Sequence, residues 1–369
     1  MAGLWTHPLT LRGLYVWSMG KAFLRYRNPR RKTSGKHQTE FYQQTWAEAA
    51  RELGATWTRL GAQMSEITLD DARTRVYHNV TAIDDPVTLY VLHDKPLTHR
   101  ILTAEKIAVP RHAAFTLKNV APAVEFLKSS ARDCVVKPAG GTGGGRGVTT
   151  GIQTPAHLAR ASAAAAVYSD ELLIEEQIDG DNYRLLFLDG KLIDSFLRRL
   201  PTVTGDGRST LRQLVDREND NRLRTRSGIS QVLIAIDLDM HRTLAKQGLS
   251  LRSVPAAGRN VTLKYVVNEN SAADNTTATH LFCRSVLEDC TRAVKALGVR
   301  FAGIDIVTRD PSVPLAESGG VILEVNGTPN LYYHYKKKDG CFPVAVHLLR
   351  AILPGAAIRA EPALETSHA

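Results

Sequence analysis

Two apolar runs near the C-terminal end each carry a carboxylate where a strand would bury it: Phe301-Ala302-Gly303-Ile304-Asp305-Ile306-Val307 and Val321-Ile322-Leu323-Glu324-Val325-Asn326. An ionised Asp inside such a run is costly unless something pairs with it. Glu324 and Asn326 stand two apart, so a strand projects both from one face, with Cα atoms roughly 6.5 to 7 Å apart. If the two strands are neighbours, two carboxylates and an amide oxygen converge. Hard oxygen ligands of that kind suit Mg2+ bridging phosphates. The competing reading pairs Asp305 with a core arginine and leaves Glu324 on a solvated edge.

A second feature is Val135-Val136-Lys137-Pro138 followed by Gly140-Gly141-Thr142-Gly143-Gly144-Gly145-Arg146-Gly147. A lysine ending a strand and running into this glycine loop offers exposed backbone N–H groups beside a cation, which suits polyphosphate. It is not a P-loop, because Arg146 and Gly147 stand where that motif needs Lys and Ser or Thr. Nor is it a dinucleotide fingerprint, since no acid stands at the right distance after a second strand. The bland alternative is a flexible surface loop. A third stretch, Leu172-Leu173-Ile174-Glu175-Glu176-Gln177-Ile178-Asp179-Gly180-Asp181-Asn182-Tyr183-Arg184, taken alone is only a strand leading into a turn.

Positioning these groups falls to a mixed order of elements. Apolar spacing predicts an amphipathic helix over 41–53, then short β-rich pieces through Tyr90-Val91-Leu92, together a small N-terminal α/β domain. His93-Asp94-Lys95-Pro96 breaks the pattern before a helix over 97–105. Helices follow near 121–129, 155–168 and 278–297, with strands at 134–137 and 172–174. Asp189-Gly190 marks a hairpin between 183–188 and 191–197, and the last two strands are 301–307 and 321–325. Strands and helices interleave without a regular βαβ count, so the fold class is α+β, or mixed α/β, rather than doubly wound. No internal repeat is seen, and the tail at 354–369 is expected to be loosely ordered.

At 369 residues the chain exceeds the size at which one core stops growing, so two or three packed subdomains are expected. The net charge of +10 is unevenly placed. Eight Lys and Arg, Arg12 to Lys36, precede the first acid, Glu40; the remaining 39 basic residues face 37 acidic ones, so positions 40–369 carry about +2. The basicity belongs to a leader at 1–39, and no nucleic-acid partner is implied by the body. That leader mixes Leu11, Leu14, Tyr15, Trp17, Phe23 and Leu24 with its cations. It is read as a solvated arm packing on its own body or on a second subunit of a homo-oligomer, with peripheral membrane or protein contact or an import sequence as alternatives. No apolar run reaches the ~20 residues of a spanning helix. Cys134, Cys283, Cys290 and Cys341 form no CxxC pair, so zinc is unsupported and a reducing cytoplasm is the simplest setting.

Asp94-Lys95, the 135–147 stretch, the 174–184 stretch, Arg198-Arg199-Leu200-Pro201-Thr202-Val203-Thr204-Gly205-Asp206-Gly207, and the two C-terminal strands extended through Leu331 together resemble the ATP-grasp superfamily. The pattern is nearest to the ATP-grasp domain of cyanophycin synthetases, with D-alanine–D-alanine ligases more distant. It covers about two thirds of the chain, from Asp94 to Gly340, in the family's order. The segments Ile236-Asp237-Leu238-Asp239 and Gln247 through Pro255 are similar to the cyanophycin group in particular.

The resemblance implies a nucleotide held between two α+β subdomains, here 96–175 and 176–353, preceded by the small domain at 40–95. It implies that Lys95 and Lys137 contact ATP phosphates, Lys137 lying near the adenine as well. Glu175 and the backbones of Glu176 and Ile178 would hold the adenine edge, and Asn182 the ribose, where the family more often has an acid. Gly143, Gly144 and Gly145 would close over the β- and γ-phosphates, and Arg184 would belong to the same nucleotide site. Asp305, Glu324 and Asn326 would hold two Mg2+ ions, or Mn2+ in their place. Arg198 or Arg199 would neutralise an acyl-phosphate. The implied activity is an ADP-forming ligase joining a carboxylate to an amine, with amino acids or peptides as substrates.

Two departures qualify the substrate. Cyanophycin synthetases carry a second catalytic half, so one activation and one bond type are expected here. Around Asn268-Glu269-Asn270-Ser271-Ala272-Ala273-Asp274-Asn275 the family has a glycine-containing loop beside the substrate, and these glycines are missing. A thiol or hydroxyl acceptor, or a non-catalytic nucleotide-binding module docked by its leader, are the alternative functions.

Overall fold

A computed structural model of the protein describes residues 5, 7–26, 29–224 and 233–354. The tail from 355 onward lies outside the described residues. Helix α1 (Pro8–Tyr26) is followed by α2 (Pro29–Glu52), which runs unbroken across position 39 and absorbs the helix predicted over 41–53. Tyr42, Trp46 and Ala50 on α2 are buried against a meander of β1 (Thr56–Arg59), β2 (Met64–Leu69) and β3 (Ala72–Tyr77). In β2 and β3 the alternating pattern buries Ile67, Leu69 and Val76 on that side.

Helix α3 (Pro86–His93) corrects the sequence reading, which places Tyr90-Val91-Leu92 among β-rich pieces. Asp85 caps it, accepting from the Val87 and Thr88 backbone N–H groups at 2.8 and 3.0 Å, and Pro86 opens it. A cap followed by proline outweighs the strand preference of three residues. Asp94 then ends α3 and caps α4 (Lys95–Ala104), accepting from Leu97 N at 2.9 Å.

The strands β4 (His112–Thr116), β5 (Cys134–Pro138), β6 (Thr149–Ile152) and β7 (Glu171–Glu176) form an antiparallel sheet in the order β4-β7-β5-β6. Helices α5 (Ala121–Ser129) and α6 (Pro155–Ala165) share its core, with Phe115, Phe126, Val136, Leu158 and Ile174 at the centre. Helix α1 lies on α6.

The second large sheet is also antiparallel. It comprises β8 (Asp181–Leu188), β9 (Lys191–Arg198), β12 (Thr276–Thr277), β13 (Phe301–Thr308) and β14 (Val321–Asn326), in the order β12-β9-β8-β13-β14. Asp189, at positive φ, and Gly190 make the predicted hairpin turn between β8 and β9. Between β9 and β12 the chain inserts β10 (Thr202–Thr204), α7 (Leu211–Arg224), α8 (Leu238–Lys246) and β11 (Asn260–Thr262), which bury a small core of their own. Helix α9 (Arg284–Ala296) starts later than the 278–297 reading because a 3-10 turn occupies Thr279–Leu281. The last described helix, α10 (Val344–Ile352), returns to the core of α2 and the meander. The architecture is α+β with antiparallel sheets, as the irregular interleaving of elements predicts.

Candidate nucleotide and metal site

Three neighbouring strands put opposite charges in a row. The antiparallel register sets Arg184 of β8 beside Asp305 of β13, and Asp305 beside Glu324 of β14, with Gly303 opposite Asn326. Arg184 donates from Nε and Nη2 to the two Asp305 carboxylate oxygens at 2.6 and 2.9 Å, a forked geometry that holds the carboxylate in one orientation. Arg198, at the end of β9, adds a 3.4 Å contact from Nη1 to Asp305 Oδ1 and donates from Nη2 to Asn268. Gly303 makes this possible: a Cβ there would collide with the Arg184 guanidinium and with Pro329. Asp305 is therefore paired with arginine, as the competing sequence reading has it, but the pair faces a cavity.

Glu324 meets Lys95 at 3.0 Å. Burial acts to raise the Glu324 pKa, yet Lys95, Lys137 and Arg184 more than offset it and hold the carboxyl at about 2. Lys95 in turn is pushed up, chiefly by Glu324. It opens α4, and its backbone N–H donates to Ala139 O at 3.1 Å, beside the glycine loop. One turn on, buried His99 approaches Leu323 O at 3.2 Å. Burial and the charge of Lys137 drop its pKa to about 3, so it stays neutral.

The four-stranded sheet supplies the other groups. Val135 pairs with Glu175 across β5 and β7, so Lys137, two residues on, shares Glu175's face and reaches it at 2.7 Å. Beyond β5, Gly141, Gly144, Gly145 and Gly147 all have φ between +69° and +77°, a region in which L side chains are strained. Gly145 also packs closely: a Cβ would stand 2.5 Å from Val266 Cγ1 and 3.0 Å from Asn268 Nδ2. Thr150, just past the loop, donates from N and Oγ1 to buried Asp239 at 2.8 and 2.7 Å, which anchors the loop's exit on α8.

These groups surround one cavity of about 860 Å³. Lys95, Lys137, Gly143, Gly144, Gly145, Glu175, Glu176, Ile178, Asn182, Arg184, Arg198, Arg199, Asp305, Glu324 and Asn326 all line it. So each residue to which the resemblance gives a role at the nucleotide, the metal or the acyl-phosphate lines the same space. Sequence reasoning missed Asn268, which Arg198 holds, and Tyr333, whose hydroxyl donates to Asn268 O at 3.1 Å and whose ring centroid is 5.9 Å from the Arg198 guanidinium. It also missed buried Lys264, which bridges Asp237 at 2.6 Å and Glu269 at 2.8 Å. The only signal for Asn268 is its place in the segment noted for lacking glycines. Nothing local marks Lys264.

The donor set fits a hard cation shared with a phosphate. Asp305 and Glu324 supply carboxylates, and Asn326 donates from Nδ2 to Gly303 O at 3.4 Å, leaving its amide oxygen available as a ligand. Among the described residues no three His, Cys, Asp or Glu side chains are grouped to hold a metal by themselves. An amide and phosphate oxygens would have to complete the shell.

An antiparallel sheet carrying a lysine and a glycine loop, joined at one cavity to a second sheet carrying acidic and amide side chains, defines an ATP-grasp fold. No protein-family model matches the chain. By sequence it is homologous to cyanophycin synthetases: that of Trichormus variabilis is 31% identical over 296 residues, 79% of this chain and 32% of the relative. The chain thus spans about a third of the length of the cyanophycin synthetases it matches. A glutathione biosynthesis bifunctional protein of Desulfotalea psychrophila is 28% identical over 308 residues, 81% of this chain and 39% of that protein. Among solved structures, a bifunctional glutathione synthetase from Pasteurella multocida superposes with a TM-score of 0.52 at 23% identity, covering 83% of this chain and 43% of that one, a likeness of fold.

Proposed function

We propose that the protein is an ATP-dependent, ADP-forming carboxylate–amine ligase that makes an amide or peptide bond between amino-acid-like substrates through an acyl-phosphate. The observation that carries this reading is the single cavity that gathers Lys95, Lys137 and the glycine loop with Asp305, Glu324 and Asn326. Glu175 and the backbones of Glu176 and Ile178 hold the adenine edge, and Asn182 meets the ribose. Lys95, Lys137 and Arg184 attract the phosphates, while Gly143, Gly144 and Gly145 close their backbone N–H groups over the β- and γ-phosphates.

Asp305, Glu324 and Asn326 would hold two Mg2+ ions, which when bound supply positive charge against the phosphoryl oxygens. The ion pairs in the cavity orient both carboxylates, and Lys95 helps to keep Glu324 charged. Arg198 is a positioning residue, since it is buried and engaged with Asp305 and Asn268. Arg199 is exposed at the cavity and is assigned to the incoming carboxylate and its acyl-phosphate. That carboxylate attacks the γ-phosphorus and ADP leaves as the β,γ-bridging P–O bond breaks; an amine then attacks the acyl carbon, losing a proton, and inorganic phosphate leaves. The glycine loop, closed over the site, keeps water from the acyl-phosphate. A cytoplasmic setting suits four free cysteines.

The test is ADP release screened over amino acids and dipeptides, singly and in pairs. ADP formed only with a particular pair, together with an amide product by mass spectrometry, supports the reading. Failure of calorimetry to detect magnesium-dependent ATP binding would overturn it.

A further inference from the structure

Helix α1 has two apolar faces, and the fold uses one. Leu11 and Ser18 are buried and Tyr15 packs on the core of the four-stranded sheet. On the opposite side Leu9, Val16, Trp17 and Leu24 are 72%, 63%, 57% and 71% exposed. Seven-residue spacing stacks Leu9 over Val16 and Trp17 over Leu24, which makes one stripe. Lys21 Nζ lies 3.6 Å above the Trp17 ring, an amphipathic pairing suited to a boundary between apolar and wet phases.

The charge beside this stripe is mainly positive, the acids Asp216 and Asp220 of α7 being paired with Arg30. Arg12, Arg31, Lys32 and Lys36 are exposed, and no acidic residue precedes Glu40. Trp17, Leu24 and Arg31 also line a second cavity of about 780 Å³, to which Arg146, Arg160 and Arg212 turn. Its two acids, Asp237 and Glu269, are both held by Lys264. A second copy of the chain would bring like charges together at this face. An anionic lipid surface complements it in both charge and apolarity.

We propose that α1 and the first turns of α2 dock the protein on anionic phospholipid, with α1 lying along the bilayer surface and the second cavity receiving a lipid phosphate. Among the described residues no helix is long and apolar enough to cross a membrane, so the contact is peripheral. The experiment is co-sedimentation of the full chain with phosphatidylcholine vesicles, pure or containing about a third phosphatidylglycerol. The expected result is roughly tenfold or greater enrichment on the anionic vesicles, lost in Val16→Glu/Leu24→Glu and in Arg31→Glu/Lys32→Glu, with circular dichroism unchanged. Equal binding to neutral vesicles overturns the proposal. So does a concentration-dependent dimer by light scattering that Val16→Glu/Leu24→Glu abolishes, since the stripe then belongs to a second copy. Sedimentation involves no turnover, so its outcome is separate from that of the ligase reading.

Discussion

Lys95 and Glu324 meet at 3.0 Å and join the first turn of α4 to the last strand of the five-stranded sheet. Because the Lys95 backbone also bonds Ala139, the same residue ties the approach to the glycine loop to the acidic strand. Lys95→Ala strips Glu324 of its nearest cation in a largely covered site. The expected cost is about 2 kcal/mol in urea denaturation and a loss of roughly tenfold or more in ATP affinity by calorimetry. An unchanged dissociation constant would remove Lys95 from the phosphate site.

Acid stability follows from the same pair. The Glu324 carboxyl is depressed from 4.5 to about 2 in the folded protein. Its stabilisation is complete above pH 4.5 and is lost as pH falls toward about 2. Wild-type urea midpoints are therefore expected to fall across that window more steeply than those of Glu324→Gln. Parallel profiles would mean that the carboxyl titrates normally.

The proposed roles of Asp305 and Glu324 are tested through turnover. Asp305→Asn and Glu324→Gln are each expected to lower ADP release by about 100-fold or more, with circular dichroism unchanged. Retained turnover in either variant would count against the assigned cation site.

Gly145 and Gly143 separate backbone geometry from simple loop flexibility. Gly145 has φ +71° and no room for a Cβ, whereas a Cβ at Gly143 meets nothing within 4 Å. Gly145→Ala is expected to raise the ATP KM about tenfold and to cost about 1–2 kcal/mol. Gly143→Ala should do much less. Equal effects would show that the tight approach to Val266 and Asn268 is not what the loop requires.

The adjacent arginines divide in the same way. Arg198→Ala removes partners from Asp305 and Asn268 and is expected to lower stability by about 2 kcal/mol. Arg199→Ala should leave the melting temperature within about a degree while reducing kcat roughly 100-fold. The reverse pattern would exchange their roles.

The site was legible in the sequence wherever a few consecutive residues carried the signal. A carboxylate inside a fully apolar strand, two oxygen-bearing side chains at i and i+2, a lysine entering a run of glycines, and Asp94 before Lys95-Pro96 each show within one element the group they bring to the cavity. Tyr90-Val91-Leu92 shows the limit even there, because the Asp85 cap, not local preference, decided its conformation. Only the tertiary structure decided that Arg184 flanks Asp305 on one side and Glu324 on the other, since the register between antiparallel strands is fixed by packing of both sheet faces. It alone brought Asn268 to Arg198, 70 residues away, and buried Lys264 between Asp237 and Glu269. It also decided which face of α1 is covered: with apolar residues nearly all round that helix, periodicity names no inner side, and contact with the four-stranded sheet's core makes the choice.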